Sequence, residues 1–196
     1  MKKKSFFNKY KISITIVIIL LLSAILFVSL SNKHDEVLIK TNKGDIVIEL
    51  YENKAPITVE NFKTYVNEGF YSGLVFHRVI KDFMVQGGGF EINGVQKETR
   101  APIVLESNNG LSNEKYTIAM ARTNSPNSAT SQFFINTNDN TFLDYGLRDQ
   151  GYAVFGKVVK GFDVVDEIEN SQTTTKYGYM KNWPVEDIII ESVTIL

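Results

Sequence analysis

The sequence predicts a mainly β domain of about eight strands and two helices, preceded by an N-terminal membrane-spanning helix. Three observations carry this expectation. Apolar residues alternate at period two in several short segments between positions 37 and 196, the pattern of half-buried strands. Stretches rich in Gly, Asn and Ser separate those segments, so the chain turns often. Ahead of them, Ile12 to Leu30 forms an uncharged run of 19 residues.

At about 1.5 Å per residue, such a run as a helix just crosses a hydrocarbon layer of about 30 Å. Ile16 through Leu22 is apolar without a break, which leaves no polar face for a helix of a soluble fold. Lys2, Lys3, Lys4, Lys9 and Lys11 precede the run with no acid among them, and basic flanks stay on the cytoplasmic side. The expected organisation is a basic cytoplasmic N-terminus (1–11), a transmembrane signal-anchor (12–30), a linker (31–36) and a folded domain (37–196). The protein would be a single-pass protein of the cell membrane with that domain on the extracytoplasmic side. A cleaved signal that leaves a periplasmic or secreted domain is the alternative. Against it, the run is longer than the apolar part of most signals, and Ser29-Leu30-Ser31 fits a cleavage site poorly.

The domain opens with Val37 and Ile39, the turn Thr41-Asn42-Lys43-Gly44, then Ile46, Ile48 and Leu50, which read as a hairpin. Thr58 is expected to cap a helix through Asn67, with Val59, Phe62 and Val66 on one stripe and Gly69 just past the end. Strand-like runs follow at Val75–Ile80, Phe83–Gln86, Tyr116–Ala121, Gln132–Asn136 and Tyr152–Val159. A second helix is expected over Phe162–Glu169, where Phe162, Val165 and Ile168 fall at spacing three, a last strand runs from Ile188 to Leu196, and Trp183 is expected in a C-terminal loop between them. Many short strands suit a barrel or a sandwich; closing them into a barrel would remove exposed edges, with the helices plugging its ends.

Composition excludes several chemistries. Five of the 21 Lys+Arg lie before the apolar run, so the chain from Lys33 onward sets 16 basic groups against all 22 acidic ones, a net charge of about −6. That balance argues against nucleic acid as a partner, because phosphate binding rests on Lys and Arg. Cysteine is absent, which removes disulfides and thiolate chemistry. With only His34 and His77 there is no histidine-rich metal site, and no Gly-x-Ser-x-Gly elbow exposes a serine nucleophile. Gly87-Gly88-Gly89 lacks the spacing of a phosphate loop and reads as a close backbone turn at a strand end. The unusual feature is Arg78, a guanidinium inside an alternating apolar strand, where burial is costly unless its donors find partners. His77, its neighbour, is expected on the opposite strand face in a structural role.

Phe76-His77-Arg78-Val79-Ile80, Phe83-Met84-Val85-Gln86-Gly87-Gly88, Ser131-Gln132-Phe133-Phe134-Ile135, Phe142-Leu143-Asp144 and Val154-Phe155-Gly156-Lys157-Val158 occur in this order, and with them the chain from Val37 to Leu196 resembles the cyclophilin family of peptidyl-prolyl cis-trans isomerases, most closely its bacterial extracytoplasmic branch. The resemblance implies a closed eight-stranded antiparallel β-barrel capped by two α-helices, with a peptide groove on its outer face and no cofactor. It implies that Arg78 is the catalytic residue and that Phe83, Met84, Phe134 and Leu143 form an apolar pocket for the proline ring. Gln86 and Gln132 would surround the substrate backbone, and the backbone of Ala121 and Arg122 would pair with an extended peptide. Partners would be proline-containing unfolded or extended polypeptides, with the membrane engaged through the N-terminal helix.

Three positions depart from many family members. Phe142 stands in place of Trp, Tyr152 in place of His and Arg122 in place of Asn. Phe142 and Tyr152 keep the aromatic wall. Loss of an indole N–H donor implies weak binding of the family's cyclic-peptide inhibitor. A tethered peptide-binding or chaperone module without significant catalysis is the competing function, and substitution of Arg78 separates the two.

Overall fold

The structure, a computed structural model, describes residues 35–196. The segments expected at 1–11 and 12–30, and most of the 31–36 linker, lie outside the described residues. Among the described residues no helix is long and apolar enough to cross a membrane.

The order is β1 (Glu36–Thr41), β2 (Gly44–Leu50), α1 (Pro56–Asn67), β3 (Leu74–Ile80), β4 (Met84–Glu91), β5 (Thr117–Met120), β6 (Phe133–Asn136), β7 (Val154–Lys160), α2 (Phe162–Glu169), β8 (Thr173–Lys176), β9 (Met180–Pro184) and β10 (Ile190–Ile195), with a short 3-10 helix at Thr141–Leu143 before β7. Eight strands form one antiparallel sheet ordered β10-β1-β2-β7-β5-β6-β4-β3. Its edges meet where Gly73 N–H donates to Ile190 O at 2.8 Å and Phe76 N–H to Ile188 O at 2.9 Å, beside a single bridge between Val75 and Ile189. The barrel is therefore nearly closed rather than closed, since an isolated bridge and not a continuous ladder joins the edge strands at this seam.

The β1–β2 hairpin turns as expected. Thr41 Oγ1 donates to Gly44 O at 2.8 Å and accepts from Lys43 N–H at 3.1 Å. Helix α1 buries Val59, Phe62, Tyr65 and Val66 against the barrel. Its start differs from the expectation. Pro56 occupies the first turn, where a missing N–H costs nothing, and Thr58 lies inside the helix. The cap comes from far along the chain: Glu106 accepts from Ile57 N–H, Thr58 N–H and Thr58 Oγ1 at 3.1, 2.7 and 2.7 Å. Helix α2 has the expected bounds, but only Val165 and Ile168 of its expected stripe are buried. Phe162 remains partly exposed and packs its ring edge-on against Tyr116, with centroids 4.9 Å apart.

Two sequence expectations fail for local reasons. The three glycines lie within β4 and not at a strand end. Gly88 has φ +82°, and an added Cβ would sit 2.9 Å from the Phe133 ring, so glycine is required where β4 bends over the core. The segment around Trp183, expected as loop, is a second hairpin, β8–β9. Trp183 is fully buried, donates Nε1–H to Asp187 at 2.7 Å, and packs on Tyr177 and His77.

Inside the barrel Phe76, Phe133, Phe155, Phe62 and Tyr71 fill the space between strands and α1. Each such ring contributes about 1.5–3 kcal/mol by burial, and the interior is packed as a core.

Candidate active site

A second apolar cluster, Met84, Ala119, Phe134, Leu143 and Val154, lies outside this core, with Ile80, Phe83, Leu111, Ala121 and Tyr152 packed around it. It floors a groove of about 290 Å³ lined by Arg78, Phe83, Met84, Gln86, Ala121, Arg122, Phe134, Leu143, Arg148 and Tyr152. Nine of the eleven residues expected from sequence line this groove. Gln132 and Phe142 stand just behind its walls: Gln132 Oε1 accepts from Gln86 Nε2 at 2.8 Å, and Phe142 stacks on Phe83 with centroids 5.8 Å apart.

The groove draws on six parts of the chain. Phe83 sits in the β3–β4 turn, where its carbonyl accepts from Asn140 Nδ2 at 2.6 Å and from Thr137 N–H at 3.0 Å. Leu143 comes from the 3-10 helix, which is tied down by Asp144 accepting from Asn113 N–H and Nδ2 at 2.7 and 2.9 Å. Tyr152, whose N–H donates to Leu143 O at 2.9 Å, meets Phe134 edge-on at 5.6 Å. Gln132 lies so close over Gly89 that a Cβ there would meet its side chain at 2.5 Å, so the third glycine makes room for it.

Arg78 reaches the groove because of a β-bulge. Phe76 pairs with Gly87 and Arg78 with Gln86, two residues of β3 against one of β4. Phe76 and Val79 point into the core, and both residues between them line outer clefts. The expectation that His77 and Arg78 face opposite sides is thereby corrected, since the bulge cancels the alternation. The structural role of His77 stands: it is 7% exposed, packed on Phe90 at 4.6 Å and Trp183 at 6.0 Å, and its Nδ1 has no hydrogen-bond partner. Burial lowers its pKa to about 4, reinforced by the charge of Arg78 and opposed by the Val75 backbone.

Arg78 Nη1 donates to Gln86 Oε1 at 3.3 Å, and no carboxylate among the described residues pairs with it. Burial draws its pKa below the ordinary value and Tyr152 opposes the shift, yet a guanidinium remains charged in a protein. Most of its donors are therefore available to a ligand. Arg122, expected to act through its backbone, also commits its side chain: Nε donates to Gly151 O at 2.8 Å, Nη2 to Asp149 at 2.7 Å, and the guanidinium stacks 4.6 Å over Tyr152. Two of the three departures from the family pattern are thus in contact. Arg148 was not foreseen. It stands in a polar loop with no strand or helix periodicity, and only the fold brings it to the groove.

Residues 36–195 match the family model described as cyclophilin type peptidyl-prolyl cis-trans isomerase/CLD. A peptidyl-prolyl cis-trans isomerase of Acinetobacter baylyi is 59% identical over 156 residues, which cover 80% of this chain and 82% of that protein. Peptidyl-prolyl cis-trans isomerase B of Escherichia coli is 54% identical over 158 residues, covering 79% of this chain and 96% of that one. Among solved structures, a cyclophilin type peptidyl-prolyl cis-trans isomerase of Cryptosporidium parvum superposes with a TM-score of 0.70 at 28% identity, covering 84% of this chain and 98% of its own. The same protein in the presence of the dipeptide Ala-Pro gives a TM-score of 0.68 at 29% identity, covering 82% and 98%. With this match over nearly all the described residues, the barrel and its outer groove belong to a cyclophilin-type peptidyl-prolyl cis-trans isomerase, and the chain is a member of that family.

Proposed function

We propose that the groove accelerates rotation about Xaa-Pro bonds by a hydrogen bond from Arg78 to the twisted amide, with the proline ring held among Phe83, Met84, Phe134 and Leu143. Rotation meets a barrier of roughly 18–20 kcal/mol because the twisted state loses amide resonance. In that state the proline nitrogen regains a lone pair, and a donor aimed at it binds the transition state better than the planar ground state. The reaction breaks no bond, so it needs no nucleophile, metal or cofactor. The apolar floor also helps, since water stabilises the more dipolar planar amide preferentially. An acceleration of about 10⁵-fold requires about 7 kcal/mol. A charged hydrogen bond supplies about 1.5–3 kcal/mol of it, and desolvation and positioning supply the rest.

The observation that carries this reading is a charged Arg78, with no carboxylate partner among the described residues, on the wall of an apolar groove. The test is the exchange rate of a short Xaa-Pro peptide measured by NMR with the wild type and with Arg78→Ala. Acceleration that collapses in the variant while peptide affinity and fold persist supports the mechanism. A wild type that binds the peptide and leaves its exchange at the spontaneous rate sinks it in favour of the peptide-binding or chaperone module.

The clients in this reading are unfolded or extended proline-containing chains met on the extracytoplasmic side of the cell membrane, as in the family's extracytoplasmic branch. Support for the tether is the 19-residue uncharged run and its lysine flank. Fractionation with and without Ile12–Leu30 tests it, and a full-length protein found in the soluble fraction would refute it. Weak inhibition by the family's cyclic peptide is part of the same proposal, because Phe142 offers no N–H donor.

A further inference from the structure

The groove is basic, although the domain is acidic. Arg78, Arg122 and Arg148 line it, and no Asp or Glu does. The neighbouring cleft, about 390 Å³ between β3 and the β8–β9 hairpin, shares Arg78 and adds Lys181, again with no carboxylate on its walls. Among the described residues, the acid paired with these four cations is Asp149, which contacts Arg122 and Arg148. The Gly151 N–H, together with Arg122 and Arg148, holds the Asp149 carboxyl below its ordinary pKa, so it is ionised and offsets one positive charge. A track of net positive charge thus crosses a chain whose net charge from Lys33 onward is about −6. At about 0.1 M salt, charges more than about 10 Å away are screened, and a bound peptide senses chiefly the groove's own cations.

Of the cations, Arg122 is committed. Its side chain is 4% exposed, and Nε, Nη1 and Nη2 donate to Gly151 O, Thr123 O and Asp149. Arg148 is held loosely: its side chain is 52% exposed, both contacts to Asp149 are 3.3 Å long, and it lies 5.8 Å from the Phe142 ring centre. Guanidinium forks match carboxylates in a bidentate geometry.

We infer that Arg148 is a specificity-determining residue that favours prolines with a carboxylate side chain directly before or after them. The inference rests on the reading that the substrate peptide lies in this groove. Peptides bearing Glu, Gln or Lys at either position are compared by NMR exchange with the full-length protein, at low salt and at about 0.5 M NaCl, where the screening length falls to a few ångströms. The expected Glu-over-Gln ratio in kcat/KM is about two- to fivefold at low salt, the range of an exposed ion pair. It shrinks toward one at high salt. In Arg148→Ala the ratio falls to about one, and in Arg148→Glu the order inverts in favour of Lys. These ratios are internal to each variant, so a general loss of activity does not move them. A wild-type ratio of one, with the Gln peptide still accelerated, overturns the inference and leaves the groove reading intact. A Gln peptide that is not accelerated overturns the groove reading itself. A Glu preference that survives both substitutions overturns the role of Arg148.

Discussion

His77 offers a test of the outer layer that is independent of catalysis. In the unfolded chain its ordinary pKa is 6.5, and in the folded protein burial lowers it to about 4. As pH falls from about 6.5 to about 4, the unfolded state takes up a proton that the native state refuses. Stability therefore falls with falling pH over that window and changes no further below it on account of His77. At 1.36 kcal/mol per pKa unit, the difference between 6.5 and about 4 is worth about 3 kcal/mol. Carboxylates also titrate in this range, so the informative quantity is the difference from His77→Phe, whose ring fits against Phe90 and Trp183 and removes the unpartnered Nδ1. Urea unfolding of both proteins at pH 7, 5.5 and 4 supplies it. The variant should gain about 3 kcal/mol relative to wild type between pH 7 and pH 4. Curves that stay parallel across the window would refute the claim that this histidine is held neutral by burial.

Two further outcomes bear on the fold. Glu106→Ala removes three hydrogen bonds at the start of α1 and strands the buried Thr58 hydroxyl, so unfolding free energy should drop by about 2 kcal/mol and Tm by about 4–8 °C in a scanning experiment. Gly88→Ala places a Cβ at positive φ and against Phe133, and it should lower the urea midpoint by an amount equivalent to at least about 1 kcal/mol.

Much of this architecture was legible in the sequence because its elements are governed by short-range pattern. The hairpin at Thr41–Gly44, the stripe of Val59, Phe62 and Val66, and the bounds of α2 follow from spacing alone. What escaped depends on distant partners. Glu106 caps a helix that begins 50 residues earlier, so the local sequence pointed to Thr58 instead. The β8–β9 hairpin is polar at Thr173–Thr175 and holds its place through Trp183, Tyr177 and Asp187, contacts that no periodicity announces. Arg78 and the groove residues were legible through resemblance to a family. Arg148 lies outside the motifs that carry it. The bulge at His77 was invisible because nothing in Phe-His-Arg-Val marks which residue is the extra one.

The position of the groove follows from a departure in the alternation itself. In β4, Val85 faces the core and Met84 the outside; in β5, Ile118 and Ala119 divide in the same way, as do Phe133 and Phe134 in β6 and Phe155 and Val154 in β7. A barrel strand whose outer face meets only water would place polar residues at the second of each pair. Here four neighbouring strands carry apolar residues on both faces, so one side of the barrel acquires a second apolar layer that neither α1 nor α2 covers. Phe134 and Met84 remain buried only because Phe83, Leu143 and Tyr152 fold over the edges of that layer, leaving the opening that Arg78 flanks. Contiguous apolar surface of this kind marks a binding site. The two faces of the same strands thus divide the labour: losses at Phe133, Phe155 or Ile118 fall on stability, and under the proposed function losses at Phe134 or Met84 fall first on the hold over the proline ring.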